Sequence, residues 1–228
     1  MPKFFFILFF SFTAFAQTNF EKAEKLYKEN KFAEAKILFE TYLKTTPNHL
    51  KTIEYLGDIA GAQKKWDEAL SYYEKLKLKV PSSANYHYKF GGAMGMKAKS
   101  VNKFKALGMI DAIEEAFLTA ARLDKKHIES RFALVILYLE LPGIIGGSEK
   151  KAQKYADEIL TISKVDGYLA KGYIEVYFKR YKKAETYYVN AHKIENSKET
   201  FDKLYDLYLK KLKDKTKASK LKEQFENK

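Results

Sequence analysis

Cysteine is absent from all 228 residues. Its absence excludes disulfides, thiol catalysis, cysteine-ligated zinc and a lipidated leader. Proline is scarce, with four, and tryptophan occurs once. The four histidines, His49, His87, His127 and His192, have no histidine partner four residues on, and no HExxH stretch exists; a zinc site has no ligand set to draw on. G-x-S-x-G is missing as well. Acidic pairs such as Glu114–Glu115 and Asp157–Glu158 lie on amphipathic stretches, where charged neighbours make an ordinary solvated face. Nothing calls for a cofactor or a metal, and the chain reads as a non-enzyme. Long apolar runs are confined to the N-terminus. Elsewhere the longest, FALVILYL at 132–139, is eight residues and is stopped by Glu140 and Pro142. It is too short to span a membrane and reads as one buried helix.

What is present begins with the leader. Met1–Pro2–Lys3 carries one positive charge, residues 4–15 (FFFILFFSFTAF) are almost wholly apolar, and Ala14–Phe15–Ala16 supplies a small-x-small site. This is the anatomy of a secretory signal peptide over residues 1–16. Cleavage near Ala16–Gln17 is expected, with the mature chain periplasmic or secreted and not membrane-spanning. The net charge is +13, and loss of Lys3 leaves +12. A basic exported protein has anionic surroundings as its natural partners, an envelope surface among them; nucleic acid is not expected. Lysines are densest at 210–222 (KKLKDKTKASKLK), which reads as a solvated helix face.

Two segments then align without a gap. AEKLYKENKFAEAKILFETYLKTTP at 23–47 and GDIAGAQKKWDEALSYYEKLKLKVP at 57–81 match Ala23 with Gly57, Phe32 with Trp66, Ala35 with Ala69, Phe39 with Tyr73 and Pro47 with Pro81, always 34 residues apart. The chemistry is helix–turn–helix. A small residue lets the first helix approach its partner, and an aromatic opens the second helix. A buried alanine marks the crossing, a second aromatic fills the groove between helices, and proline ends the unit. This pattern resembles the tetratricopeptide repeat (TPR).

Later units are looser. Tyr86–Ala98 opens a third, whose second helix (113–124) is displaced by an enlargement near 97–109. A fourth has RFALVILYL (131–139) and KKAQKYADEIL (150–160) as its helices, separated by LPGIIGGS at 141–148. A fifth, at 172–194, places Gly172, Tyr181, Ala184, Tyr188 and Ala191 on register. A charged pair near 199–212 and 215–226 suits a polar, basic cap over 197–228. The expectation is an all-α fold: an α-solenoid of about five to six helix-turn-helix repeats over 17–196 plus the cap, wound as a right-handed superhelix. The motifs Tyr86–Ala98 (YHYKFGGAMGMKA) and Tyr138–Ala152 (YLELPGIIGGSEKKA) together resemble a bacterial family of exported TPR proteins with a PGIxGGS-type insertion. That resemblance implies a fold and a shared surface, not a chemistry.

The 141–152 stretch lacks both G-x-x-x-x-G-K-[ST] and G-x-G-x-x-G after a strand. It reads first as an enlarged turn, in which Pro142 stops one helix and Ser148 caps the next. Gly146, Gly147 and Ser148 are the candidates for an anion site at that helix start.

A TPR solenoid offers a concave groove lined by its first helices. Counted in that register, the wall is Phe20, Glu24, Tyr27, Glu54, Asp58, Tyr88, Gly92, Met96, Leu134, Leu137, Tyr138, Leu169, Tyr173, Val176 and Tyr177. It is acidic early and aromatic late, and its tyrosines suit a protein or peptide partner. TPR domains that clamp a C-terminal carboxylate resemble one another in carrying Lys and Asn early in the groove; Glu24, Glu54 and Asp58 argue against that mode and for an apolar and basic segment. The leading reading is an interaction scaffold. The alternative is a small-ligand carrier with a pocket lined by Tyr88, Met96, Leu134 and Tyr138.

Overall fold

A computed structural model describes residues 19–227, and these are all-helical, with no strand among them. The leader falls outside the described residues. The chain divides into two compact units, one ending at Ala116 and the other covering Phe117–Lys228.

The first unit opens with α1 (19–28). It continues with α2 (Phe32–Thr45), α3 (Leu50–Ala62), α4 (Trp66–Lys79), α5 (Ala84–Ser100), the short α6 (Lys103–Leu107) and the start of α7 (Ile110–Leu123). Successive pairs close through one turn. Asn30 and Lys64 take positive φ, 59° and 58°. Their amides donate to Tyr27 O and Gly61 O, and those of Lys31 and Lys65 to Leu26 O and Ala60 O. The left-handed residue satisfies the last carbonyls of the first helix and reverses the chain. The entry to the next pair also repeats. His49 Nδ1 accepts from Thr52 N and Ser83 Oγ from Tyr86 N, each filling one of the orphan amides of a helix start.

The 34-residue pattern acts through packing. Ala35 and Ala69 are completely buried where paired helices meet, and Ala23 and Phe39 share one core. At the matching position one period on, a Cβ on Gly57 would lie 2.7 Å from Tyr73 Cε1. The small residue is therefore what lets the ring in. Burial of each such aromatic stabilises by roughly 1.5–3 kcal/mol.

The second unit contains the end of α7, then α8 (Ile128–Glu140), a 3₁₀ turn (Gly143–Ile145), α9 (Glu149–Ile162), α10 (Lys164–Tyr177), α11 (Tyr181–Ile194), α12 (Lys198–Asp206) and α13 (Lys215–Glu226). A π-helical stretch, Leu207–Leu212, prolongs α12. The repeat devices return here. Lys179 is left-handed, with φ 58°. A Cβ on Gly172 would lie 2.2 Å from Tyr188 Cε1, and Ala184 is fully buried. Gly167 lets α10 cross α9 so closely that a Cβ there would stand 2.3 Å from Leu160 Cα. The last pair shares a core with the fifth: Leu204, Leu207, Tyr208, Ala218 and Leu221 cluster with Tyr188 and Ala191.

Candidate partner-binding face

The first helices of the repeats in the first unit are α1, α3 and α5. On α3, Glu54 and Asp58 lie one turn apart and so point the same way. Lys89 of α5 reaches both, with Nζ 2.7 Å from Glu54 Oε1 and 2.7 Å from Asp58 Oδ1. Lys51 adds a second bond to Glu54 at 3.2 Å, and Asn85 Nδ2 donates to Glu54 Oε1 at 3.3 Å. The Tyr73 hydroxyl, rising from α4, donates to Asp58 Oδ1 at 2.7 Å. Further along, the Tyr55 hydroxyl donates to Glu24 Oε1 at 2.8 Å, and its ring rests on Tyr27 with centroids 4.6 Å apart.

Electrostatics follow the geometry. Burial alone would push the Glu54 carboxyl up; the bonds and charges of Lys89 and Lys51 outweigh it and hold it below the usual carboxylate range. Burial would lower Lys89, but Asp58 and Glu54 hold it above the ordinary lysine value. Burial, reinforced by the carboxylates they face, raises the phenols of Tyr27, Tyr55 and Tyr73. All stay protonated donors at neutral pH. The early wall is thus not an open acidic surface: Lys89, which the sequence reading left unplaced, sits on its carboxylates. A basic side chain from a partner would have to displace it.

On the second unit the inner face is aromatic. Phe132 of α8 meets Tyr173 of α10 edge to face, with centroids 5.5 Å apart and planes at 62°. Tyr177, one turn beyond Tyr173, is 46% exposed. Leu134 and Tyr138 are core residues, 0% and 3% exposed, and Tyr138 stacks on Tyr155 at 5.8 Å. Neither is offered to a partner. The cause is register. Counted from its cap, His127, α8 places Phe132 where α3, counted from His49, places Glu54. The Leu134 assignment was two residues late, a rotation of about 200° around the helix. In the first unit Tyr88 is partly buried, and Met96 is 44% exposed.

The glycine-rich turn is also settled by its hydrogen bonds. The amides of Ile145 and Gly147 both donate to Pro142 O, that of Gly146 to Gly143 O and that of Ser148 to Tyr138 O. Ser148 Oγ accepts from Lys151 N. The N–H groups proposed for an anion are therefore engaged inside the loop. Gly146 takes φ 101°, and a Cβ on Gly147 would meet Leu141 O at 1.8 Å, so both glycines serve the turn. An open depression of about 560 Å³ is lined by Lys150, Gln153, Lys154, Asp157, Glu158 and Thr161. All six come from α9, so it encloses nothing, and with Leu134 and Tyr138 in the core the carrier alternative has no support. Among the described residues no group of three His, Asp or Glu is placed to hold a metal.

The helical architecture has parallels in solved structures. The fold is shared with tetratricopeptide-repeat proteins. The TPR protein TTC0263 from Thermus thermophilus superposes with a TM-score of 0.69 at 15% identity, covering 85% of this chain and 99% of that one. A TPR protein from Parabacteroides merdae gives 0.60 at 16% identity, covering 92% and 78%. YrrB, described as a TPR protein with an unusual peptide-binding site, gives 0.51 at 14% identity, covering 80% and 87%. No protein-family profile matches the chain, and no curated protein matches it. At such identities the likeness carries the fold alone.

The histidines also gain a role that counting metal motifs could not find. His49 and His127 cap α3 and α8 through Nδ1, each three residues before a fully buried hydroxyl residue, Thr52 and Ser130. The signal was a His-x-x-Thr/Ser spacing directly after an inter-repeat turn.

Proposed function

We propose that this protein is a non-catalytic interaction scaffold of the bacterial cell envelope that captures a partner segment on the faces of its first helices. The observation that carries the reading is the aromatic face of the second unit. Elsewhere Phe39 and Tyr188 are packed away almost completely, yet Tyr173 is only partly buried and Tyr177 is 46% exposed. A tyrosine one turn from another, with Phe132 packed edge to face on the first, gives a partly exposed aromatic surface of the residue type enriched in partner hot spots. Because Lys89 and Lys51 offset the early carboxylates, recognition falls on this aromatic surface more than on charge. The leader supports export, and the basic exterior supports residence near an anionic envelope surface.

The test is capture from envelope extract by the wild type and by Tyr173→Ala/Tyr177→Ala, with melts of both followed by circular dichroism. Loss of specific captured proteins at unchanged melting temperature is the expected outcome. A collapsed melt would make the rings core, and an unchanged capture profile would move the site elsewhere. N-terminal sequencing of the fractionated protein checks export, with Gln17 as the expected first residue.

A further inference from the structure

Phe104 is 87% exposed on α6, and Leu107, on the same short helix, is 45% exposed. The turns between α1 and α2 and between α3 and α4 hold no such element. Exposed lysines flank Phe104 on both sides, Lys103 and Lys105, with Lys99 one turn before them. From Lys75 to Ile110 the chain has eight lysines and no acidic residue. Lys89 is occupied by Glu54 and Asp58, and Lys97 pairs with Asp67. Lys75, Lys77 and Lys79 belong to α4, and Lys103 and Lys105 flank the apolar tip in a stretch with no carboxylate of its own.

We propose that the turn between α5 and α7 is an interfacial anchor that docks on an anionic lipid bilayer. A large apolar side chain projecting from a ring of lysines is the composition of segments that sit at the headgroup boundary. The apolar group enters the acyl edge while the ammonium groups meet lipid phosphates, each lysine strengthening attachment about five-fold. A protein partner would need a concave acidic receptor for one protruding ring, whereas a bilayer needs only the ring and the charge. No helix among the described residues is long and apolar enough to cross a membrane, so attachment through this tip is peripheral. The inference deepens the reading of the basic exterior and does not depend on what the aromatic face captures.

The experiment is co-sedimentation of the full chain with phosphatidylcholine vesicles, with and without phosphatidylglycerol. Residues 4–15 are apolar themselves, so the comparison is between variants that share them. Phe104→Ser should lower partitioning onto anionic vesicles about ten-fold. Lys103→Glu with Lys105→Glu should remove the preference for phosphatidylglycerol. In a Trp66→Phe background, Phe104→Trp should show a blue-shifted emission on anionic vesicles only. Unchanged partitioning of the serine variant, equal binding to neutral vesicles, or an unshifted F104W spectrum would overturn the proposal. Because F104S leaves Tyr173 and Tyr177 in place, loss of vesicle binding with intact partner capture separates this inference from the scaffold reading.

Discussion

Lys89 stands to Asp58 as Tyr55 stands to Glu24. Each donor lies 31 residues after its carboxylate, at 2.7 and 2.8 Å. The Asp58–Lys89 pair is the Glu24–Tyr55 pair moved on by one period of 34 residues. The repeat thus preserves a geometric relationship, a donor one repeat on and one turn back, while changing its chemistry from phenol to ammonium. Since Lys89 also holds Glu54, whose side chain is 10% exposed, Lys89→Met leaves two partly buried carboxylates without their main counter-charge. The expected cost is about 2–3 kcal/mol, below the figure for a fully dry pair because Asp58 keeps some water. Urea unfolding measures it. Adding Asp58→Asn to Lys89→Met should cost less than the two singles together, because the partners are coupled.

The same cluster fixes a pH dependence. Glu54 is held below the usual carboxylate range, so its contribution is present above the unfolded value of about 4.3 and is lost as pH falls below it. Lys89 is held above the usual lysine range, so its contribution is complete below about pH 10.4 and is lost as pH rises further. The melting-temperature gap between wild type and Lys89→Met should therefore be flat from about pH 5 to 10 and shrink below about pH 4. A gap that persists at pH 3 would mean that Lys89 acts through packing rather than charge.

Two helical glycines should respond to alanine with opposite signs. A Cβ on Gly172 would stand 2.2 Å from the Tyr188 ring, which is buried and cannot retreat, whereas a Cβ on Gly92 would meet nothing within 4 Å. Gly172→Ala should destabilise by roughly 1–3 kcal/mol through overpacking, despite the better helix propensity. Gly92→Ala should stabilise by about 0.5–1 kcal/mol through that propensity alone. Thermal melts of the two variants decide the matter, and equal signs would mean that the repeat does not depend on its small residue.

That contrast shows what could be read from the chain alone. Gly57, Gly172, Tyr73, Tyr188, Ala69 and Ala184 were legible because packing forces residue size at fixed spacing, and spacing survives in sequence. The inner face was legible only where the register was secure. Across the enlarged turns a two-residue slip put Leu134 where Phe132 belongs, and Leu134 proved to be core. Lys89 was missed for a different reason: its partners lie 31 and 35 residues earlier, and sequence does not show which charges meet across repeats. The anion candidates failed because amide availability depends on loop hydrogen bonds that composition does not reveal.

Left-handed lysines give a further handle. Lys64 and Lys179 take φ 58° at the turns where the first repeat uses Asn30. A non-glycine residue in that region costs roughly 1–2 kcal/mol, and glycine recovers most of it while adding freedom to the unfolded chain. Lys64→Gly should raise stability by about 0.5–1 kcal/mol, with Lys64→Asn giving part of that gain. No change in urea midpoint would place the strain elsewhere in the turn.

Arg131 is the most deeply buried cation of the second unit, 5% exposed, and its fork gathers three main-chain carbonyls. Nη1 donates to His127 O at 2.9 Å and to Asp124 O at 3.3 Å, and Nη2 donates to Ala121 O at 3.2 Å. Nε donates to Glu158 at 3.0 Å. Ala121 O lies in the last turn of α7, where carbonyls lack intrahelical donors, and the guanidinium supplies one from the next helix; Asp124 O and His127 O also accept from His127 N and Ser130 Oγ, respectively. Arg131→Met should therefore cost about 3 kcal/mol, because the buried Ala121 carbonyl loses its donor and Glu158 loses its cation. Arg131→Lys should recover only a minor part, since one ammonium cannot span the fork. Glu158→Gln should cost distinctly less than Arg131→Met, because the carbonyl bonds persist. If Glu158→Gln instead matched Arg131→Met in urea unfolding, the ion pair rather than the helix end would be what Arg131 secures.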